Sequence, residues 1–206
     1  MQSLDTLLAD IRACRHCGDR FAATVSGHEP NPVIRASATA RVCIAGQAPG
    51  IRVHHSGTPF TDPSGVRLRA WMGVDEAVFY DTERIAIVPM AFCFPGHTAT
   101  RADLPPPKEC ARLWREPVFE ALPALRLILL VGKAAQDWHL PDREAMAARV
   151  RRWTDTPLTQ SDAGCGIDHI PLPHPSWRNN AWLKANPWFE SETLPKLRAC
   201  LSRHLP

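Results

Sequence analysis

The sequence has no long apolar segment, no first residues with the layout of a signal peptide and no large excess of either charge. A membrane-spanning helix needs roughly 18 or more consecutive apolar residues, and no such run occurs in the 206 residues. The first six residues also lack the basic and then apolar arrangement of a secretory signal. We therefore expect a cytoplasmic protein that makes no use of a membrane.

The charge and composition are those of an ordinary globular protein. The net charge of +3 permits binding to nucleic acid without arguing for it, because a strongly basic footprint would be larger. Hydrophobic residues make up 45% and charged residues 22% of the chain, and its length suits one core. Residues 1–206 are therefore predicted to form a single domain, which we expect to be monomeric.

Short apolar segments alternate with segments of helical periodicity along the chain. Helices are predicted at 3–13, after a cap at Ser64, at 109–122, from Lys133, at 141–154 and from Pro187 onward. Between them, 18–40 and 46–65 are predicted to be irregular. Buried strands are predicted at 41–45, 85–90, 127–131 and 167–172. This alternation predicts an α/β fold, namely a three-layer α/β/α sandwich with a central four-stranded parallel sheet.

Two of the predicted strands end in loops that are rich in proline, glycine and polar groups. Gly46-Gln-Ala-Pro-Gly50 follows the first strand, and His174-Pro-Ser176 follows the last. The carboxyl ends of parallel strands meet at one edge of a sheet, which is where such folds bind ligands. The two loops are therefore predicted to face each other across an active-site crevice.

Four of the seven cysteines have the spacing of a metal site. Cys14 and Cys17 form a C-x-x-C pair, whereas Cys93 and Cys110 lie at the two ends of a proline-rich loop. In a reducing compartment thiolates bind metal more readily than they form disulfides, and four of them suit either zinc or an iron–sulfur cluster. Cys43 and Cys200 are predicted to be core residues, and the role of Cys165 is left open.

Taken together, these motifs resemble the uracil-DNA glycosylase superfamily, most closely its iron–sulfur-containing bacterial and archaeal branch, often called family 4. Gly46–Gly50, Gly57-Thr-Pro-Phe60 and His174–Ser176 stand in the order and at the spacing of that branch. The four cysteines match its cluster ligands. The resemblance implies a [4Fe–4S] cluster, with zinc as the alternative, and a DNA glycosylase that excises uracil or a related deaminated base.

The resemblance also assigns roles to residues of the predicted crevice. It implies that His174 hydrogen-bonds O2 of the departing uracil and that the flipped base stacks on Phe60. Gly46 and Ala48 would border the base through their backbone, and Pro89 stands where the branch usually carries a base-reading asparagine. Because proline has neither a side-chain donor nor an N–H, selectivity would come from other groups, such as the backbone, Asn179 or Asn180.

A second departure from the branch lies at Gln47, where a water-activating glutamate is usual. Glutamine cannot accept a proton as a general base, although it can position a water molecule. His54, His55 and Asp62 lie in the same loop and are the predicted replacements.

The residues after His174 are predicted to contact DNA. Ser176, Trp177, Arg178 and Asn179 occupy the place where the superfamily inserts a loop into the minor groove. Trp177 or Arg178 would fill the space left by the flipped base, or Arg178 would bind phosphate.

Two alternatives stay open. The protein could be a glycosylase for a different damaged base, since the asparagine reader is missing. It could also be a non-catalytic iron–sulfur protein that binds DNA lesions, since the glutamate is missing.

Overall fold

The computed structural model describes residues 2–158 and 167–205, and its centre is one four-stranded parallel sheet. The strands lie in the order β2-β1-β3-β4, and every neighbouring pair is parallel. All four strands therefore place their carboxyl ends at the same edge, as predicted. Their bounds are Val42–Ala45 (β1), Ile85–Ile87 (β2), Leu127–Val131 (β3) and Asp168–Leu172 (β4).

Helices cover both faces of this sheet. They are Leu4–Ala13 (α1), Gly18–Ala22 (α2), Ile51–Ser56 (α3), Pro63–Met72 (α4), Glu76–Tyr80 (α5), Lys108–Glu120 (α6), Lys133–His139 (α7), Met146–Asp155 (α8), Asn180–Ala185 (α9) and Leu194–Leu201 (α10). A 3₁₀ turn at Trp177–Asn179 precedes α9, and a π-helical turn at Phe189–Thr193 precedes α10. None of the helices in 2–158 and 167–205 is long and apolar enough to cross a lipid bilayer.

The apolar strands have two buried faces because each face packs against its own helical layer. Val42 and Ile44 of β1 join a core formed with α4, α5, α8 and α10. Cys43 and Ala45, which point the other way, join a core formed with α1, α6 and α7. The predicted three-layer sandwich is confirmed.

Three sequence-based bounds were wrong near the carboxyl edge. Strand β2 ends at Ile87 rather than at residue 90, although the Val88 and Met90 N–H groups still donate to the Ile44 and Gly46 carbonyls at 3.0 and 2.9 Å. The 46–65 segment contains helix α3 and the start of α4. Asp62, not Ser64, caps α4, since its side chain accepts a hydrogen bond from the Gly65 N–H at 3.3 Å.

The 18–40 segment, predicted to be irregular, connects the two functional regions described below. After helix α2 the chain pairs with the outer edge of β2 through an Arg35–Ile87 bridge. The Val33 N–H also donates to the Phe92 carbonyl at 2.7 Å. These bonds hold the segment against the chain that leaves β2.

Candidate active site

A pocket opens at the carboxyl edge of the sheet, between the loop after β1 and the loop after β4. It brings together seven of the predicted site residues, namely Gly46, Gln47, Ala48, Phe60, Asp62, Pro89 and His174. Val33, Ser64 and Asp103 also contribute to the wall. The two loops therefore face each other as the sequence predicted.

His174 is held in one orientation and one tautomer. The Ser176 N–H donates to His174 Nδ1 at 3.2 Å, which assigns the ring proton to Nε2. The Asn179 side chain donates to the His174 carbonyl at 2.7 Å. Burial lowers the pKa of His174, partly offset by Asp62, so the ring is neutral at pH 7. A neutral Nε2–H is a hydrogen-bond donor that carries no net charge.

Gly132 lies directly beneath His174 and was missed by the sequence analysis. Its backbone has φ 85° and ψ 171°, a region open essentially to glycine alone. A Cβ at this position would lie 3.4 Å from the His174 Cβ. The Gly132 N–H donates to the Leu172 carbonyl at 2.9 Å, which ties the end of β3 to β4 two residues before His174. The glycine that follows β3 in the sequence was the available signal.

Phe60 adopts a strained backbone conformation that places its ring in the pocket wall. Its φ of 56° is unusual for a residue other than glycine, and such strain is concentrated at functional sites. Gly65 makes the turn possible, because a Cβ there would lie 1.8 Å from the Phe60 carbonyl oxygen. The ring packs edge-to-face on Phe79 at 5.9 Å between centroids, which supports it from behind.

The backbone of Gln47 is held by hydrogen bonds, whereas in the described part of the chain its side chain is not. Within the described residues its amide makes no hydrogen bond, whereas its carbonyl accepts from the Ala91 N–H at 3.2 Å. The preceding Gly46 carbonyl accepts from the Met90 N–H at 2.9 Å. The Gln47 amide is therefore available to a bound molecule.

Pro89 lines the pocket, and its carbonyl accepts a hydrogen bond from a buried arginine that the sequence analysis missed. Arg115, on α6, is 4% exposed and donates to the Val88 and Pro89 carbonyls, each at 3.3 Å. Its Nε donates to His139 Nε2 at 2.8 Å. Burial lowers the pKa of Arg115 to about 10 and that of His139 to about 3, so His139 accepts as a neutral ring. The sequence did not indicate that Arg115 bonds these carbonyls, because an arginine on an amphipathic helix is usually exposed.

Asp103 is the second acidic residue of the pocket, beside Asp62, and it was also missed. Its carboxylate Oδ1 lies 3.3 Å from His97 Nε2. Asp103 belongs to the proline-rich segment between Cys93 and Cys110, which the sequence analysis considered only for its cysteines.

The structure does not bring His54 into the pocket. Its ring packs against His28 and Phe94, at 5.0 Å and 6.0 Å between centroids, and burial lowers its pKa. His55, exposed on the same helix, does not line the pocket either. The prediction that one of these histidines activates water therefore has no geometric support, because the helix turns both rings away.

The predicted DNA-contacting residues lie at the rim, after His174. Trp177 is 73% exposed, and the Arg178 guanidinium lies 5.6 Å from the centre of its ring. Arg67 donates to the Ser176 carbonyl at 3.3 Å and holds this turn from α4. Asn179 is directed inward to the His174 carbonyl rather than outward, so it holds the loop that carries His174.

The four predicted metal-binding cysteines line a second cavity. Cys14, Cys17, Cys93 and Cys110 face one another across apolar walls that include Phe21, Pro30 and Pro32. Burial raises the pKa of Cys93 to about 12 and that of Cys110 to about 11, and the other thiols add to both shifts. Thiols are soft metal ligands, and in this apolar cavity their thiolate forms are destabilised unless a cation is bound beside them. The four cysteines therefore fit a metal group that is bound by thiolates. Among the described residues, however, no three His, Cys, Asp or Glu side chains are close enough together to hold a metal ion.

Two of the other three cysteines, Cys43 and Cys200, agree with the prediction that they belong to the core. Cys43 is fully buried in β1 and Cys200 is buried on α10. Cys165 lies outside the described residues.

The cysteine cavity and the pocket are connected by a short segment of the chain. Pro89 lines the pocket and Cys93 lines the cavity, and the four residue steps from one to the other span at most about 14 Å. Arg115 lies five residues after Cys110 on α6 and bonds the Pro89 carbonyl. The chain that leaves β2 and helix α6 therefore link the two sites.

The fold and the pocket define an α/β protein with an aromatic-walled site at the carboxyl edge of a parallel sheet. A family model described as "Uracil DNA glycosylase superfamily" matches residues 34–198. Because this match covers most of the chain, the protein belongs to the uracil-DNA glycosylase superfamily. Membership points to hydrolysis of the N-glycosidic bond in DNA, the first step of base-excision repair.

Proposed function

We propose that this protein excises uracil, or a related deaminated base, from DNA after flipping the base out of the helix. The observation that carries the proposal is that a neutral, oriented His174 and the strained Phe60 line one pocket. A flipped base needs an aromatic surface on which to stack, and a departing base needs a donor at the oxygen where charge develops. Both requirements are met by these two side chains.

In this mechanism the bond between C1′ of the sugar and N1 of uracil breaks with oxocarbenium character at the sugar. The electron pair leaves with uracil, and part of its negative charge appears on O2. His174 Nε2–H donates to that oxygen. A neutral donor suits a task in which charge appears only in the transition state, because it binds the neutral substrate weakly.

The choice of base rests on groups other than Pro89. The unengaged amide of Gln47 has both a donor and an acceptor, which a uracil edge requires. The presence of Pro89 in the wall keeps a second candidate open, a glycosylase for a different damaged base. Binding of lesions without cleavage is the remaining alternative.

We infer further that Cys14, Cys17, Cys93 and Cys110 hold a [4Fe–4S] cluster. Support comes from four thiols that line one apolar cavity and from their spacing in the sequence, a C-x-x-C pair followed by two cysteines on either side of a proline-rich segment. The bound group would cross-link the C-x-x-C segment, the chain leaving β2 and helix α6. Brown protein with matched iron and acid-labile sulfide would support the cluster, whereas stoichiometric zinc would support the alternative.

The test is single-turnover release of uracil from a single-stranded oligonucleotide by the wild-type protein and by His174→Ala. We expect the substitution to lower the rate by about 10²–10³-fold, the usual effect of losing one such donor. His204→Ala is the matched control, because His204 lies near Arg41 and Asp168 at the opposite edge of the sheet.

Other outcomes separate the alternatives. Release of a deaminated purine or an oxidised pyrimidine, but not of uracil, would favour the second candidate. Damage-specific binding without release of any base would favour the lesion-binding alternative. The proposal would be refuted if the protein showed no damage-specific binding to DNA and released no base.

A further inference from the structure

We propose that Asp103 is the carboxylate that activates the attacking water, in place of the glutamate that is absent at Gln47, and that His97 positions it. This inference rests on the proposed glycosylase function. Asp103 lies in the proline-rich segment between two of the cysteines. The general base would therefore come from this segment and not from the first motif, Gly46–Gly50.

The first argument is the position of the carboxylate. Asp103 lines the same pocket as His174, Phe60 and Gln47. Its side chain is 42% exposed, so water reaches it from the mouth of the pocket. A general base must meet both conditions, since it has to contact a water molecule beside the sugar of a bound nucleotide.

The second argument is that the loop carrying Asp103 is built to hold it in place. An antiparallel bridge pairs His97 with Asp103, and the Thr98 N–H donates to the Ala102 carbonyl at 2.8 Å. The Leu104 N–H donates to the Gly96 carbonyl at 2.9 Å and closes the loop below. The turn also includes Arg101 at a positive φ of 59°.

The third argument is the partner of the carboxylate. His97 Nε2 lies 3.3 Å from Asp103 Oδ1, and the His97 ring packs on the buried Phe94 at 4.8 Å between centroids. Its backbone N–H donates to the Ser26 side chain at 3.3 Å. His97 is therefore fixed from two sides and orients one oxygen of the carboxylate, which leaves the other for water.

The other acidic residue of the pocket has a structural task. Asp62 caps helix α4 through its Oδ1, which accepts from the Gly65 N–H. Its position is set by the helix, and Gln47 cannot accept a proton. Of the two pocket carboxylates, Asp103 is thus the one that does not cap a helix.

In the proposed step the water oxygen forms a bond to C1′ as the bond from C1′ to the base breaks. One water proton passes to Asp103, and the electron pair of the broken bond leaves with the base as its anion. Asp103 then returns the proton to solvent, and the base anion takes one from solvent.

The decisive experiment compares single-turnover release and oligonucleotide binding for wild type, Asp103→Asn and Asp62→Asn. We expect Asp103→Asn to lower the rate by about 10²–10⁴-fold with little change in binding. Asparagine caps helices as well as aspartate, so Asp62→Asn removes a pocket charge without removing the cap, and its loss of rate should be smaller. Adding Gln47→Glu to Asp103→Asn restores a carboxylate to the pocket and should recover part of the rate.

His97 is tested by two substitutions. His97→Phe keeps the packing on Phe94 but removes the donor, and it should lower the rate with unchanged binding. His97→Gln keeps a donor and should retain more of the rate than His97→Phe.

Several results would overturn the inference. An Asp103→Asn rate within about threefold of wild type would do so, as would a loss of rate matched by an equal loss of binding. If Asp103→Asn fails to fold, Asp103→Ser is compared in the same way. No base release by the wild-type protein would refute the proposed function together with this inference, whereas the other results leave the proposed function standing.

Discussion

Replacing Gly132 by alanine should damage both the stability and the activity of the protein, for one geometric reason. Alanine at φ 85° and ψ 171° costs about 1–3 kcal/mol of backbone strain. For a chain of this size that loss corresponds to a fall in melting temperature of about 2–12 °C. If the backbone relaxes instead to a conformation that alanine prefers, the Gly132 N–H that bonds the Leu172 carbonyl at 2.9 Å is displaced, and so is the His174 Cβ, which the new methyl group contacts at 3.4 Å.

The activity follows from that displacement. A shift of about 1 Å at a catalytic group can cost about 100-fold in rate, so the single-turnover rate should fall well beyond the effect of lost stability. Gly73→Ala is the matched control. Gly73 also has a positive φ, of 70°, but it lies at the C-terminal end of α4 and faces the flexible Arg198 side chain.

Melting temperature by circular dichroism and base release below the transition would be measured for both variants. A lower melting temperature in both, with loss of rate only in Gly132→Ala, is the expected pattern. Equal rates in the two variants would refute the argument that Gly132 supports His174.

Two further predictions concern the acid side of the stability profile and the rim. The pKa of His139 is lowered to about 3 by burial and then by the charge of Arg115, so the unfolded chain binds a proton that the folded protein does not between pH 6.5 and 3. The free energy of unfolding should therefore fall as the pH drops through this range. In urea titrations His139→Gln should reduce the slope of that free energy against pH by up to about 1.4 kcal/mol per pH unit. Equal slopes for the wild-type protein and the variant would contradict this prediction. Trp177→Ala, at a side chain that is 73% exposed, should change the free energy of unfolding by less than about 0.5 kcal/mol. It should slow release from duplex DNA about tenfold while sparing single strands, and an equal effect on both substrates would exclude a wedge that replaces the flipped base.

The four-stranded parallel sheet and the convergence of the first and last motifs could be predicted from the sequence. Unbroken apolar runs such as Leu127–Val131 bury both faces of a strand, and their alternation with helices admits few arrangements. Since loops at one edge of a parallel sheet must meet, Gln47 and His174 were predicted in one crevice. The cysteine pairs were predicted together by their spacing, and they do line one cavity.

What only the tertiary structure decided is how each side chain near the pocket is used. Whether His54 or Asp103 faces the pocket depends on a helix at 51–56 and on a loop closed at 96–104, and neither has a periodic signature. Asn179 and Arg115 act through backbone carbonyls, which every residue carries and no sequence pattern marks. The periodicity of burial therefore determines the framework. The roles of polar residues depend on contacts between distant segments, because a hydrogen bond needs both partners in place.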